Sequence, residues 1–303
     1  MWSVTNQLDK LDVCIVGRAH NSEYYPSDIQ NIINETNQDL DDISDLLKTF
    51  NVTVLRPSNK RHFLKAPVTP RDWLGMIGDT FFVETYNSIW KDLRGKDWPN
   101  DAPTDLAEWS SLDSNIKNEL LNSFNINNIS ELQKYEYANV RDIVNTVANT
   151  NKVIKDTKID TAMVVRLGKK LIVGTWPHFD YPKLVQEYFP NHEIHVVDSQ
   201  GHLDGCISVV SDNLIISRND IKCDVPGFET VYIDHTKHNG DPETVFDVNM
   251  LVIDRENVLC LVKNIQVKQI LEQNNINTHY VNFRHHEFWD AGLHCLTSDL
   301  NRI

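Results

Sequence analysis

Hydrophobic residues recur along the chain in pairs of short runs, and a polar turn separates the two runs of each pair. Glycine, aspartate or asparagine stands at each turn, as β-hairpins prefer. The pattern predicts four such hairpins, at residues 72–84, 160–174, 204–218 and 247–262. The last three begin at Asp160, Asp204 and Asp247, which lie 44 and then 43 residues apart. A nearly constant spacing of this length is typical of proteins built from repeated modules.

Segments with a helical pattern, each followed by an apolar run, lie between the hairpins. The helical candidates are residues 41–50, 181–189 and 267–275, and the strands predicted after them are residues 52–57, 192–197 and 278–283. The first copy of the module begins with the apolar run at 12–17. We predict about five modules of two strands, a helix and a strand, which join into a closed, pseudo-symmetric α/β array.

Residues 97–152 do not fit this repeat. The segment is polar and rich in asparagine, and its stretch NDAPTDLAEW offers a helix N-cap followed by an acidic first turn. We predict a mainly helical insertion on the rim of a single domain that spans residues 1–303.

Composition and charge exclude several classes of partner. The 303 residues are 41% hydrophobic and 24% charged, which is typical of a soluble globular protein. The formal net charge of −14 argues against binding to nucleic acid or to an anionic membrane surface, because both require clustered lysine and arginine. No run has the length of a membrane span, and the first residues lack a basic targeting pattern. We expect a cytoplasmic protein that acts on small molecules.

The five cysteines are odd in number and widely scattered, which favours a reducing compartment over a disulfide framework. Cys14 and Cys260 stand in apolar runs, where a free thiol usually behaves as a small hydrophobic residue. Cys295 differs because it follows Gly-Leu-His close to the C-terminus, among polar and aromatic residues. Cys295 is therefore either structural or a nucleophile.

Acidic residues stand at the start of several predicted hairpins. In a closed array the first strands converge on the axis, so Asp72, Asp160 and Asp204 are expected to meet in one site. Aspartate is also common at turns for local reasons, which is the competing interpretation. His202 supports the interpretation that these aspartates form a functional site. It shares the stretch GHLDG with Asp204, and the two side chains are expected to face the same side of a strand. A cysteine nucleophile with a histidine and a carboxylate is a known catalytic arrangement.

Other histidine clusters do not have the spacing of a zinc site, and no glycine-rich phosphate loop is present. The clusters are His285 with His286, His235 with His238, and His178 with Asp180. We therefore expect neither a metal nor a cofactor.

Five motifs together carry a resemblance to a known family. They are VGRAHNSEYYP (16–26), PRDWLGMIGDT (70–80), IDTAMVVRLGKKLIVG (159–174), GHLDG (201–205) and NFRHHEFWDAGLHCLTSDLNR (282–302). In order and spacing they resemble the glycine and inosamine-phosphate amidinotransferases of the guanidine-modifying enzyme superfamily. The likeness runs from about residue 12 to the end and skips 97–152. It implies a five-bladed α/β-propeller.

The resemblance also implies a role for each candidate residue. Cys295 is expected to attack the guanidino carbon of arginine or a similar donor, and His202 to protonate the leaving amine. Asp160 is expected to orient His202, as the carboxylate does in a catalytic triad. The guanidinium is expected to lie between two carboxylates, those of Asp72 and Asp204.

Arg218 is the candidate for holding the donor's carboxylate, although it is near rather than at the family's position. The amidino group then passes to a primary amine such as glycine. The same motifs leave open a guanidine-group hydrolase like arginine deiminase or dimethylargininase, in which water replaces the amine. They also leave open a non-catalytic binding scaffold, and a homodimer.

Overall fold

The computed structural model describes residues 1–59, 67–83, 138–155, 157–176, 179–234, 245–261 and 265–303. Within them the chain forms five sheets of three strands each. The strands are β1 (Leu11–Val16), β2 (Thr53–Leu55), β3 (Leu74–Ile77), β4 (Thr80–Val83), β5 (Lys152–Lys155), β6 (Val164–Leu167), β7 (Lys170–Gly174), β8 (Glu193–Val197), β9 (Ile207–Ser211), β10 (Leu214–Arg218), β11 (Glu229–Ile233), β12 (Leu251–Asp254), β13 (Asn257–Cys260), β14 (Asn277–Tyr280) and β15 (Thr297–Arg302). The helices are α1 (Gln30–Thr49), α2 (Arg141–Ala148), α3 (Tyr181–Tyr188), α4 (Ile265–Gln273) and α5 (His286–Trp289).

All five sheets have the same topology, which confirms the predicted modular repeat. The first two strands of each sheet are antiparallel, and the third is parallel to the middle strand. The orders are β15-β1-β2, β3-β4-β5, β6-β7-β8, β9-β10-β11 and β12-β13-β14. A helix precedes the third strand in four of them, whereas β10 is joined to β11 by the short connection 219–228. We call these sheets, with their helices, modules 1 to 5, starting from β15-β1-β2 and continuing in chain order.

Module 1 combines strands from near both ends of the chain, because β15 pairs with β1 along most of its length. This pairing explains why the C-terminal stretch is ordered. The sequence pattern did not predict β15, because its residues TSDLNR show no apolar alternation. Thr297, Ser298 and Asp299 are nevertheless fully buried.

The predicted insertion at 97–152 extends too far along the chain. Residues 97–137 lie outside the described part. Residues 141–148 form α2, and Lys152 begins β5, which pairs with β4. The reason is apolar packing, since Ile143, Val144 and Val147 of α2 are buried in the core of module 2. Residues 141–155 therefore supply the helix and third strand of this module.

Hydrophobic cores lie between successive modules rather than inside single sheets. One cluster packs Ile15 against Met76 and Phe81, joining modules 1 and 2. Others join modules 2 and 3, modules 3 to 5, and modules 5 and 1.

None of the helices in the described part of the chain combines the length and the apolar character that a membrane span requires.

A buried cluster of charges also connects the modules. The carboxylate of Asp299 in β15 binds three arginines, with distances of 2.6 Å to Arg71 Nη1, 3.0 Å to Arg166 Nη2 and 2.7 Å to Arg302 Nε. All four side chains are at most 2% exposed. Burial raises the pKa of Asp299, but Arg166, Arg71 and Arg302 outweigh it and hold the pKa well below its usual range.

The same arginines donate hydrogen bonds to backbone carbonyls of other first strands. Arg166 Nη1 donates to the oxygen of Met76 in β3 at 2.9 Å, and Arg302 Nη2 to that of Val252 in β12 at 2.9 Å. Arg71 Nε donates to the oxygen of Thr297 in β15 at 3.0 Å. Asp299 thus fixes arginines that hold the first strands of modules 1, 2, 3 and 5 together.

We expect Asp299→Asn to cost about 3–5 kcal/mol of unfolding free energy, because it leaves three buried guanidinium groups without their anion. Urea unfolding checks this value. Asp45→Asn is the matched control, since Asp45 makes an exposed ion pair with Lys48 and is expected to change stability by at most ~0.5 kcal/mol.

The depressed pKa of Asp299 sets the pH dependence of this stabilisation. It is fully present above the carboxylate's unfolded pKa of about 4 and is lost as pH falls through the lower folded value. A loss below about 1 kcal/mol at neutral pH for Asp299→Asn would contradict the role given to the cluster.

Candidate active site

The candidate residues lie at the starts of the modules. A 3₁₀ turn precedes the first strand in modules 2 to 5, at residues 70–72, 161–163, 203–205 and 245–247. Asp72 and Asp204 lie within such turns, and Asp160 caps another by accepting a hydrogen bond from the backbone N–H of Ala162 at 2.9 Å. In module 1 the turn 293–296 contains Cys295. Every module therefore presents a turn at the same end of its first strand.

His202 lies between two of these carboxylates. Its Nε2 is 3.0 Å from an oxygen of Asp160, and its Nδ1 is 3.7 Å from an oxygen of Asp72. Burial lowers the pKa of His202, but Asp160, Asp72 and Asp204 outweigh it and raise the pKa to about 10. The imidazole is therefore a cation at neutral pH and has a proton to give.

The expectation that His202 and Asp204 share a face of a strand was wrong. Residues 203–205 form a 3₁₀ turn and His202 directly precedes it, because β9 begins only at Ile207. Both side chains still line the same cavity, since the turn directs them there.

Cys295 is buried, with 8% of its surface exposed, and its sulfur faces polar groups. Asn249 Nδ2 donates a hydrogen bond to Sγ at 3.2 Å, and an oxygen of Asp204 lies 3.8 Å from Sγ. Burial, then Asp204 and Asp72, raise the pKa of the thiol well above its ordinary value. A cation placed between the sulfur and these carboxylates favours the thiolate, because it offsets their charge.

Asp204 is buried, and its two oxygens have different surroundings. Oδ2 lies 2.7 Å from Nδ1 of His294. Oδ1 has no hydrogen-bond partner among the described residues. Burial, then Arg71, lower the pKa of His294 to about 4, so His294 is neutral and its Nδ1 donates to Asp204. A buried carboxylate oxygen without a donor favours a ligand that brings an N–H group.

These side chains border a cavity of about 390 Å³, which is within the usual range for a small-molecule site. Its wall includes His202, Asp204, Arg218, Asn249 and Cys295, with Trp176 beside the imidazole at a ring distance of 6.0 Å. Four of the six candidate residues therefore line the cavity, and the other two, Asp72 and Asp160, contact the imidazole of His202.

Arg218 is in the cavity wall but is already paired. Its Nε and Nη2 donate to the two carboxylate oxygens of Asp220, the first at 3.0 Å. Asp220 therefore occupies the bidentate face of this guanidinium.

Cys14 and Cys260 are buried in hydrophobic clusters, as their apolar runs predicted. Burial, the main cause, raises the pKa of each of these two thiols to about 12. Within the described residues, no group of three or more histidine, cysteine, aspartate or glutamate side chains is arranged to hold a metal ion.

Sequence reasoning missed two residues of the site, Asn249 and His294. Asn249 follows a hairpin-start turn in an apolar run, where its amide gives no chemical pattern of its own. His294 is adjacent to Cys295 in the sequence, and that adjacency was the available signal.

We expect the His202 imidazolium to lose its proton near pH 10 and Asp160→Asn to move this titration towards the ordinary value of about 6.5. The sign follows from the charges, because Asp160 favours the protonated ring. Nitrogen NMR of the histidine side chains measures both titrations. An unchanged titration in Asp160→Asn would show that Asp160 does not set the charge of His202, and Asp180→Asn serves as a control on an exposed helix cap.

Comparison with known proteins places the fold. No protein-family model matches the chain. The mitochondrial glycine amidinotransferase of Xenopus laevis is 23% identical over 128 residues, which are 37% of this chain and 30% of that protein. The aligned stretch therefore spans less than a third of the curated relative.

Solved structures are similar over nearly the whole chain. The inosamine-phosphate amidinotransferase of Streptomyces griseus has a TM-score of 0.69 at 17% identity and covers 100% of this chain and 97% of its own. SxtG, an amidinotransferase of Microseira wollei, has a TM-score of 0.70 at 15% identity, with coverages of 99% and 97%. A dimethylarginine dimethylaminohydrolase of Pseudomonas aeruginosa has a TM-score of 0.62 at 11% identity, with coverages of 96% and 100%. At these identities the likeness shows the fold, and the resemblance inferred from the motifs is confirmed: the chain has the α/β fold of the amidinotransferases.

Proposed function

We propose that this chain is an amidinotransferase that moves the amidino group of arginine, or of a similar guanidino donor, to a primary amine such as glycine. One observation carries the proposal. A buried thiol lies on the same cavity wall as an oxygen of Asp204 that has no hydrogen-bond partner among the described residues, and both are beside an imidazolium held by two further carboxylates. The arrangement suits a planar cation whose carbon must face sulfur.

Binding uses the charges already in the site. A guanidinium donates N–H groups in one plane, and carboxylates accept them in paired, charge-assisted hydrogen bonds. Asp204 Oδ1 offers one acceptor, and Asp72 offers a second carboxylate beside His202. The bound cation also lowers the pKa of the Cys295 thiol, because it offsets the charges of Asp204 and Asp72. The nucleophile is thus ionised mainly when its substrate is present.

The first half-reaction forms a carbon–sulfur bond. The thiolate of Cys295 attacks the guanidino carbon, the bond from that carbon to the donor's side-chain nitrogen breaks, and His202 gives this nitrogen its proton. The leaving amine departs neutral and an amidino-thioether remains on Cys295. Asp160 keeps the imidazole oriented and charged for this step.

The second half-reaction reverses the roles. The acceptor amine attacks the amidino carbon, the carbon–sulfur bond breaks, and His202 takes the proton that the amine loses. The thiolate is regenerated and the product leaves with a new guanidino group. Transfer requires the amine to reach the carbon faster than water does, which a fixed acceptor site provides.

The five modules are proposed to close as a five-bladed propeller with the site on its axis. Contacts between successive modules support this. The N-terminal segment bridges modules 3 and 4, because the N–H of Gln7 donates to the oxygen of Arg166 at 2.9 Å and its Nε2 to that of Val209 at 3.3 Å. Modules 4 and 5 are joined by Ser208 Oγ, which donates to the oxygen of Val248 at 2.7 Å.

Arg218 is proposed to contact the far end of the donor. Its pairing with Asp220 leaves Nη1 for a carboxylate, so a single hydrogen bond rather than a bidentate pair is expected there.

A guanidine-group hydrolase is the second candidate function. The dimethylarginine dimethylaminohydrolase likeness supports it, since the thioether on Cys295 is common to both reactions. The higher TM-scores of the two amidinotransferases favour transfer.

We expect arginine with glycine to give ornithine and a new guanidino compound faster than arginine alone gives citrulline. Product analysis by liquid chromatography, with and without the amine, measures the two rates. Cys295→Ala is the control for both reactions. Citrulline formation at a rate that does not depend on the amine would contradict transfer and favour the hydrolase. If no guanidino donor is turned over, the non-catalytic binding scaffold is the interpretation that remains.

A further inference from the structure

The amide of Asn249 is fully used, and all its partners belong to the site. Its Oδ1 accepts the backbone N–H of His294 at 2.7 Å and that of Cys295 at 3.2 Å. Its Nδ2 donates to the backbone oxygen of Asp204 at 3.1 Å and to Sγ of Cys295 at 3.2 Å. The side chain is 2% exposed. One residue of module 5 therefore ties the turn that carries the nucleophile to the turn that carries Asp204.

Gly292 makes room for this amide. A Cβ atom at Gly292 would lie 2.4 Å from Oδ1, 2.5 Å from Cβ and 2.5 Å from Cγ of Asn249. Carbon and oxygen atoms that are not bonded do not approach so closely, and the Asn249 side chain is held at both ends. A side chain at position 292 would therefore displace Asn249.

We propose that Asn249 is a catalytic residue that binds the sulfur of Cys295 and stabilises its thiolate, and that the lack of a side chain at Gly292 leaves the space it needs. The inference rests on the proposed function for its effect on turnover, but its effect on the thiol stands on the geometry alone. Asn249 is suited to the task because an amide donor stabilises a thiolate without adding charge. A lysine at this point would compete with the guanidinium for Asp204.

The hydrogen bond from Asn249 matters because the other surroundings of the sulfur disfavour its thiolate form. Burial and the carboxylates of Asp204 and Asp72 act against the thiolate, whereas the side chain of Asn249 and the backbone at Gly292 act in its favour. A hydrogen bond to a charged group is worth about 1.5–3 kcal/mol, which corresponds to roughly a ten- to hundredfold change in an equilibrium.

The test measures the thiol directly. Cys295 is alkylated with iodoacetamide across a pH series in wild type, Asn249→Ala and Gly292→Ala, and the modified peptide is quantified by mass spectrometry. We expect the apparent pKa to rise in both variants and kcat to fall roughly ten- to hundredfold. Asn151→Ala is the matched control, because Asn151 is also buried and bonded to backbone groups, at Trp2 and Asp79, away from the site. In the Asn151→Ala protein, the titration of the Cys295 thiol is expected to equal that of the wild type.

A double-mutant cycle separates this role from a general loss of packing. Glycine at position 249 removes all three atoms that a Cβ at 292 would meet, whereas alanine would keep the Cβ, so Asn249→Gly combined with Gly292→Ala is expected to match Asn249→Gly alone. Additive losses, or an apparent pKa that stays the same or falls in Asn249→Ala, would overturn the proposal. A protein that turns over no guanidino donor yet shows the expected thiol shifts would refute the proposed function and keep the role of Asn249 at the sulfur.

Discussion

The buried carboxylate of Asp299 and its three arginines are the constraint on which the rest of the molecule depends. A single acid cannot neutralise three guanidinium groups, so the arginines must also use backbone carbonyls, and those belong to the first strands of other modules. The charge cluster therefore requires the first strands of these modules to lie close together. It also lies directly behind the candidate site, because Arg71 precedes Asp72 and its backbone N–H reaches the oxygen of Cys295 at 3.4 Å.

The charges of this cluster also affect the ionisation of residues in the candidate site. Burial, then Arg71, lowers the pKa of His294, which keeps this histidine neutral. Burial raises the pKa of Asp204, but the hydrogen bond with His294, then His202 and Arg71, outweigh it and keep the aspartate charged. Asp204 can then accept from His294 through one oxygen and offer the other to the cavity. The resting site thus has excess negative charge close to a protonated thiol, and in the proposed reaction a guanidinium supplies the missing cation. Under the proposed function, binding of the substrate is therefore also the step that ionises Cys295.

Much of this was available from the sequence, for identifiable reasons. Hairpins with polar turns and regular spacing gave four of the modules, and acids at their starts gave Asp72, Asp160 and Asp204, because turn residues and strand direction are local properties. The strand β15 was missed since all its buried residues except Leu300 are polar, and Asp299 is satisfied by partners more than 100 residues away, Arg71 and Arg166. The helix α2 and strand β5 were assigned to the insertion because their module is interrupted by a long polar segment. Asn249 gave no signal, since its role exists only through contacts with a turn 45 residues later.

Cys295 is proposed to carry the amidino group between donor and acceptor. The most direct measurement is the mass of the protein after incubation with arginine and rapid acid quenching, followed by peptide mapping. We expect an added amidino group on Cys295 that disappears when an amine acceptor is supplied before the quench. Product formation with no adduct on Cys295, or with full activity in Cys295→Ala, would contradict it.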